Sequence, residues 1–160
     1  MYNLGLDLGT SFIKAALTEC SSGNVVNVVS QPSSEQKIKV FKDGWAEQDP
    51  EIWWKNTCLA IKNLISLTNI NPSLISRIGI SYQMHGLVLL DDNGNLIRDS
   101  IIWCDDRAVS VGKKAFIELG KEKCIDQLLN SPANFTASKL KWVKNNEKEL
   151  YNRVYKFMLP

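Results

Sequence analysis

The sequence predicts an α/β domain with a mixed sheet that opens in a three-strand meander and carries helices packed on it. Three observations predict it. Short β-rich runs come first, at Leu4–Leu8, Ile13–Thr18 and Val25–Ser30, separated by turn residues such as Ser21-Ser22-Gly23-Asn24. Helical periodicity follows from Pro50, where Asp49 is placed to cap and Pro fits the first helical position. Beyond Arg107 the chain turns mainly helical, and there is no repeat, low-complexity segment or linker, so one α/β unit is expected.

Each element has its own reason. In the first helix Trp54, Cys58, Ile61, Leu64 and Ile65 fall on one face, with Lys55, Asn56, Asn63 and Ser66 elsewhere. Ile75–Ser81 reads as a buried strand. Leu87–Leu90, Asp91-Asp92-Asn93-Gly94 and Leu96-Ile97 read as a hairpin, and Ile101–Trp103 as a further strand. Helices are expected over Val109–Gly120, around Lys123–Leu129 and over Ala137–Tyr151, the last with Thr136 as its cap. Val154–Leu159 reads as a closing strand.

Composition narrows the function classes. A chain of 160 residues suits one domain with a normal core, and its net charge of +2 comes from acids and bases spread evenly. No basic block suits a nucleic-acid backbone. No apolar run approaches the roughly 20 residues that cross a bilayer, and the start lacks the pattern of a secretory signal, so a cytoplasmic protein with no membrane contact is expected. Cys20, Cys58, Cys104 and Cys124 are widely spaced and accompanied by a single histidine, which fits reduced thiols and neither a zinc site nor a disulfide framework.

Three segments carry candidate chemistry. In the first, Leu4-Gly5-Leu6-Asp7-Leu8 ends in Gly9-Thr10-Ser11, so a lone carboxylate sits at the end of an apolar strand and runs into a tight turn rich in N–H and O–H donors. Such a turn can hold phosphate oxygens, although an ordinary hairpin with an acid at its turn has the same residues. The strand-to-helix phosphate loop with its Gly-Lys-Ser/Thr signature is absent.

The second segment, Ser81-Tyr82-Gln83-Met84-His85-Gly86, ends a strand, where α/β sheets gather ligands. Met84 can press on the carbon face of a sugar and His85 can bond a hydroxyl; equally, His85 can satisfy only its own turn. The third, Trp103-Cys104-Asp105-Asp106-Arg107, offers an aromatic plane and hydroxyl acceptors, or simply a helix cap with an ion pair. Cys104 reads as a packed residue rather than a nucleophile. Trp45, Trp53 and Trp54 read as core or edge aromatics, and the Lys139–Lys148 charges as a solvated helix face.

Taken in order, these segments together with Glu47-Gln48-Asp49-Pro50 and Phe135-Thr136-Ala137-Ser138-Lys139-Leu140 resemble the FGGY carbohydrate kinases over nearly the whole chain, and within them the amino-terminal part of a xylulokinase. The resemblance implies an actin-like ATPase (ribonuclease H-like) fold and residues 1–160 as its sugar-binding lobe. It further implies ATP-dependent phosphorylation of xylulose, with ATP and magnesium as cofactors. By the same resemblance Asp7 helps position magnesium, indirectly, and Gly9, Thr10 and Ser11 line the nucleotide phosphates; Met84, His85, Trp103 and Asp105 face the sugar. The catalytic aspartate and the ATP-binding lobe are expected beyond Pro160, so the chain alone should be inactive, with a sticky face where the other lobe would pack. A homodimer is compatible with the full-length protein.

Two departures bear on the sugar. The family usually has Asn where Cys104 stands and a small or amide residue where Asp106 stands, and its Thr-Gly-Asn is missing around Gln127–Asn130. The other readings kept open are a kinase for gluconate, ribulose or a polyol, and an actin-like binding module without catalysis.

Overall fold

The computed structural model describes residues 1–160. In chain order it contains strands β1 (Tyr2–Leu8), β2 (Ile13–Glu19), β3 (Val25–Gln31) and β4 (Glu47–Gln48), helix α1 (Pro50–Thr68), then strands β5 (Ile75–Tyr82), β6 (Val88–Leu90) and β7 (Ser100–Ile101). Helices α2 (Val109–Leu119), α3 (Lys121–Leu128), α4 (Thr136–Asn146) and α5 (Lys148–Tyr151) follow, and β8 (Lys156–Met158) closes the chain. Two compact units emerge where the sequence suggested one: Met1–Lys37 with Glu51–Gln83, and Ile38–Pro50 with Met84–Pro160.

The first unit is built on a four-stranded mixed sheet in the order β3-β2-β1-β5. The meander is antiparallel, and β1 pairs in parallel with β5. Period-two alternation puts Leu4 and Leu6 of β1 and Ile13, Ala15 and Leu17 of β2 on one buried face. Each fully buried aliphatic side chain of this set stabilises the unit by about 1.5–3 kcal/mol. Gly5 and Asp7, the intervening residues of β1, are exposed.

Two expectations for this unit are corrected. The buried stripe of α1 is Trp53, Asn56, Thr57, Ala60 and Leu64, while Trp54 is exposed. Apolar residues occur on both sides of this helix, so periodicity alone left the rotation open, and Asn56 is tolerated inside because its amide donates to Gln36 Oε1 at 3.3 Å. Strand β5 is not buried either. It ends the sheet, paired only with β1, and Ile78 and Ile80 are 61 % and 63 % exposed.

In the second unit β4 pairs with β7 and β6 with β8, both antiparallel. Leu87, Leu89, Ile101 and Val143 form its core, with Leu140, Trp142 and Tyr151 packed around them. Helix α2 comes so close to the Pro132–Asn134 turn that a Cβ on Gly112 would collide with the backbone of Pro132 and Ala133.

The expected strand at 101–103 is confined to Ser100–Ile101, with Trp103 in the following turn. The expected helix at 137–151 is interrupted at Glu147, whose φ of −126° and ψ of 57° leave the helical region. Thr136 is no cap: it opens α4 from within, and its hydroxyl donates to the Gly86 carbonyl at 3.0 Å. All four cysteines are free. No helix is long and apolar enough to cross a membrane.

Candidate functional site

The candidate phosphate turn joins β1 to β2. Gly9 N–H donates to Phe12 O at 3.0 Å, and a Cβ at Gly9 would stand 2.8 Å from that same oxygen, so this tight return demands glycine. Its outer supports are two glutamines. Gln36, whose side-chain oxygen accepts from Asn56, donates from its backbone to Ser11 O at 2.9 Å and from its side chain to Gly9 O at 3.4 Å. Gln83 donates from its backbone to Leu8 O at 3.0 Å and accepts the Thr10 hydroxyl at 3.1 Å.

Asp7 stands in the register next to Lys14 on β2 and Ser81 on β5, on the exposed side of the sheet. A carboxylate at the edge of a buried strand would need a compensating partner; Asp7, in solvent, needs none. An exposed acid beside a glycine turn stays available to a ligand.

The other candidates lie in the second unit. Met84 is 61 % exposed. His85 follows with a φ of 63°, a left-handed conformation that costs on the order of 1 kcal/mol in a residue with a Cβ. Its ring stacks on Phe135, centroids 4.7 Å apart and planes 6° from parallel. Burial, and secondarily the positive charge of Lys139, push the His85 imidazole below the usual histidine range, leaving it neutral at pH 7 with one donor and one acceptor.

Trp103 is 49 % exposed, and its backbone carbonyl accepts from the Asn134 side chain. Asp105, two residues on, is wholly buried. Its oxygens are engaged by Arg107 Nε at 2.9 Å, Arg107 Nη2 at 2.7 Å and the Ala46 N–H at 2.6 Å. The expected sugar contact of Asp105 therefore has no exposed oxygen to make it. What Asp105 does instead is hold Arg107.

Arg107 anchors a cluster that composition gave no reason to expect. Its guanidinium carbon lies 3.9 Å from the Trp45 ring centre, its Nη2 is 2.7 Å from Glu47, and Arg98 bridges Glu47 and Glu147. Trp142 meets Trp45 edge to face at 5.3 Å. Trp45 reads from the sequence as a core or edge aromatic, and here it packs with Trp142 against an ion network.

Lys139 corrects the reading of a solvated helix face: its side chain is fully buried. Nζ donates to Asn134 O and to Asn134 Oδ1, both at 2.7 Å, and burial lowers its pKa to about 8 against the raising effect of Asp105. Cys104 is exposed, not packed as its sequence suggests, because it sits in the turn that follows β7; partial desolvation still raises its thiol above the ordinary range, which does not suit a nucleophile. A concavity of about 760 Å³ lined by 145–150 and Arg153 contains none of these candidates.

A β-meander joined in parallel to a fourth strand, with a glycine turn after its first strand, defines an actin-like ATPase fold, and solved structures bear this out. A xyloylose kinase from Brucella ovis superimposes with a TM-score of 0.87 at 35 % identity, covering all of this chain and 32 % of that one. A gluconate kinase from Lactobacillus acidophilus gives 0.83 at 28 %, over 98 % of this chain and 31 % of that one. The family model for the FGGY carbohydrate kinases, N-terminal domain, matches residues 2–160, and the chain belongs to that family.

Among curated relatives, a xylulose kinase of Staphylococcus epidermidis is 38 % identical over 159 residues, 98 % of this chain and 30 % of the relative. One from Bacillus subtilis is 35 % identical over 164 residues, 99 % of this chain and 31 % of the relative. The chain thus spans about a third of the length of the curated relatives it matches.

Proposed function

We propose that residues 1–160 are the sugar-binding lobe of an ATP-dependent kinase that converts D-xylulose to D-xylulose 5-phosphate in the cytoplasm. The observation that carries this reading is the agreement of relatives: xylulose kinases from several bacteria align over 98 % or more of the chain, at up to 38 % identity. The geometry of both units is compatible with it.

In this reading Gly9, Thr10 and Ser11 offer the nucleotide phosphates a tight turn whose closure a side chain at position 9 would disturb by meeting the Phe12 carbonyl. One exposed carboxylate, Asp7, fits a magnesium ion that keeps water and phosphate oxygens as its other ligands. The metal and ATP would supply charge neutralisation and the transferred phosphoryl group. Met84, His85 and Trp103 bind the sugar. Neutral His85 accepts or donates to one hydroxyl, while Met84 and the Trp103 indole cover carbon. Asp105 contributes by fixing Arg107, and so the loop behind Trp103.

Transfer needs groups on both sides of the phosphoryl group, so a second lobe, supplying the base that takes the hydroxyl proton, belongs to this reading. The alternative with an observation behind it is gluconate, because the gluconate kinase shares the fold at a TM-score of 0.83. Titration of the ¹⁵N-labelled chain with D-xylulose and with D-gluconate separates the two. Xylulose-induced shifts centred on Met84, His85 and Trp103, and abolished in His85→Ala, are expected. Shifts that survive His85→Ala unchanged, or that only gluconate produces, overturn the assignment.

A further inference from the structure

Four residues around the start of α4 reach back to both loops of the candidate sugar site. Asn134 donates to the Trp103 carbonyl, the Phe135 ring lies flat on His85, and the Thr136 hydroxyl donates to the Gly86 carbonyl. Lys139, one turn into the helix, closes on Asn134 through two 2.7 Å bonds. A fifth bond, from Ser138 Oγ to Pro132 O at 2.6 Å, ties the same turn together.

We propose that Asn134 and Lys139 are a positioning pair that sets the Trp103 loop against His85 and thereby the affinity of the site for a sugar. This rests on the sugar-binding reading of Met84, His85 and Trp103 given above. A fully buried ammonium is expensive to desolvate, and helices place such lysines on their outer face by default. Here both acceptors identified for the charge come from one residue, the backbone and side-chain oxygens of Asn134. That choice fixes the Asn134 amide. With its oxygen held by Lys139, its NH₂ group is turned to the Trp103 carbonyl, and the amide cannot flip without losing both contacts.

The pair acts through Trp103 and needs no contact with sugar. Asp105, Cys104 and Arg107 face Lys139 electrostatically, and His85 feels its charge, so the lysine lies among the candidate site residues rather than on a solvated face. The sequence offers the motif Phe135-Thr136-Ala137-Ser138-Lys139, but the helical spacing cannot show that its lysine points inward.

The test uses the ¹⁵N-labelled chain, in which Trp103→Phe, Trp53→Phe and Trp54→Phe each identify one of the five tryptophan indole signals. Asn134→Asp keeps an acceptor for Lys139 and deletes the donor to Trp103; Lys139→Met removes the clamp. Both are expected to shift the Trp103 indole signal, leave the signals of Trp53 and Trp54 in place, and weaken D-xylulose binding by about tenfold, with no further loss in the double variant. If Lys139→Met does not fold, Asn134→Asp and Asn134→Ala decide, since Asn134 is only partly buried. An unmoved Trp103 signal together with unchanged affinity overturns the proposal. A wild-type chain that ignores xylulose while Trp103 still responds to Asn134→Asp overturns the sugar reading and leaves the positioning of Trp103 established.

Discussion

The Arg107 guanidinium is locked to the Asp105 carboxylate, Nε 2.9 Å from both oxygens and Nη2 2.7 Å from one of them, with both side chains out of solvent. The pair sits directly after Trp103, so the loop that presents an exposed indole is anchored from beneath by a buried charge pair. Removing one partner of such a pair strands the other charge in a low dielectric, a larger loss than the pair's own net contribution.

Asp105→Asn should therefore destabilise the chain by about 3 kcal/mol, moderated by the Glu47 carboxylate that also reaches Arg107. Urea denaturation followed by circular dichroism measures it. A midpoint within error of wild type would show that the pair does not hold this loop.

Lys139 links stability to alkaline pH. Its folded pKa, about 8, lies below the ordinary lysine value of 10.5, so between these pH values the unfolded chain binds more protons than the folded one. Stability contributed through this group must then rise as pH rises from about 8 to 10.5, because the penalty for the buried charge is present below 8 and relieved above it. The urea midpoint of wild type should climb across this window relative to Lys139→Met. Parallel curves for the two proteins would mean the buried amine carries no such penalty.

His85 is the single histidine, so its ring protons titrate without overlap in an NMR spectrum. The midpoint is expected below 6.5, because burial disfavours the imidazolium. In Lys139→Met it should rise, though only part of the way, since burial is the larger cause. A wild-type midpoint at or above the ordinary value contradicts the packing of His85 on Phe135.

Gly9→Ala should cost about 1–3 kcal/mol, since the new Cβ meets the Phe12 carbonyl at 2.8 Å and backbone must shift. Thermal melting gives the stability change, and titration with ATP and magnesium checks the proposed phosphate binding, which is expected to weaken; an unchanged nucleotide response would contradict the proposed role of the turn. Asp7→Asn, exposed as it is, should leave the melting temperature within error and weaken only the nucleotide response.

How much of this was legible in the sequence depends on the kind of order involved. The meander was, because β1 to β3 alternate and are punctuated by turn residues, and α1 begins at Pro50 where its Pro fits. The rotation of α1 was not, because Trp53 and Trp54 are equally apolar and only packing decides between them. The partition into two units was not, since residues 38–50 leave the first unit and return without a linker composition. At the site, Asp7, Gly9, His85 and Trp103 stood out by residue type. Gln36, Asn134 and Lys139 did not, as their roles rest on contacts with residues distant in sequence or hidden by an ordinary helical charge pattern. Asp105 was noticed for its carboxylate, but its partner Arg107 determines what that carboxylate does.

The role proposed for residues 1–160 is the sugar side of a xylulose kinase. It is tested most directly by a chimera in which residues 1–160 replace the aligned part of the Staphylococcus xylosus xylulose kinase, to which they are 37 % identical. Assayed for ATP-dependent formation of D-xylulose 5-phosphate, the chimera is expected to be active, and His85→Ala to raise its KM for xylulose far more than its KM for ATP. A folded chimera that phosphorylates D-gluconate and leaves D-xylulose untouched, or whose xylulose KM is indifferent to His85→Ala, would contradict it.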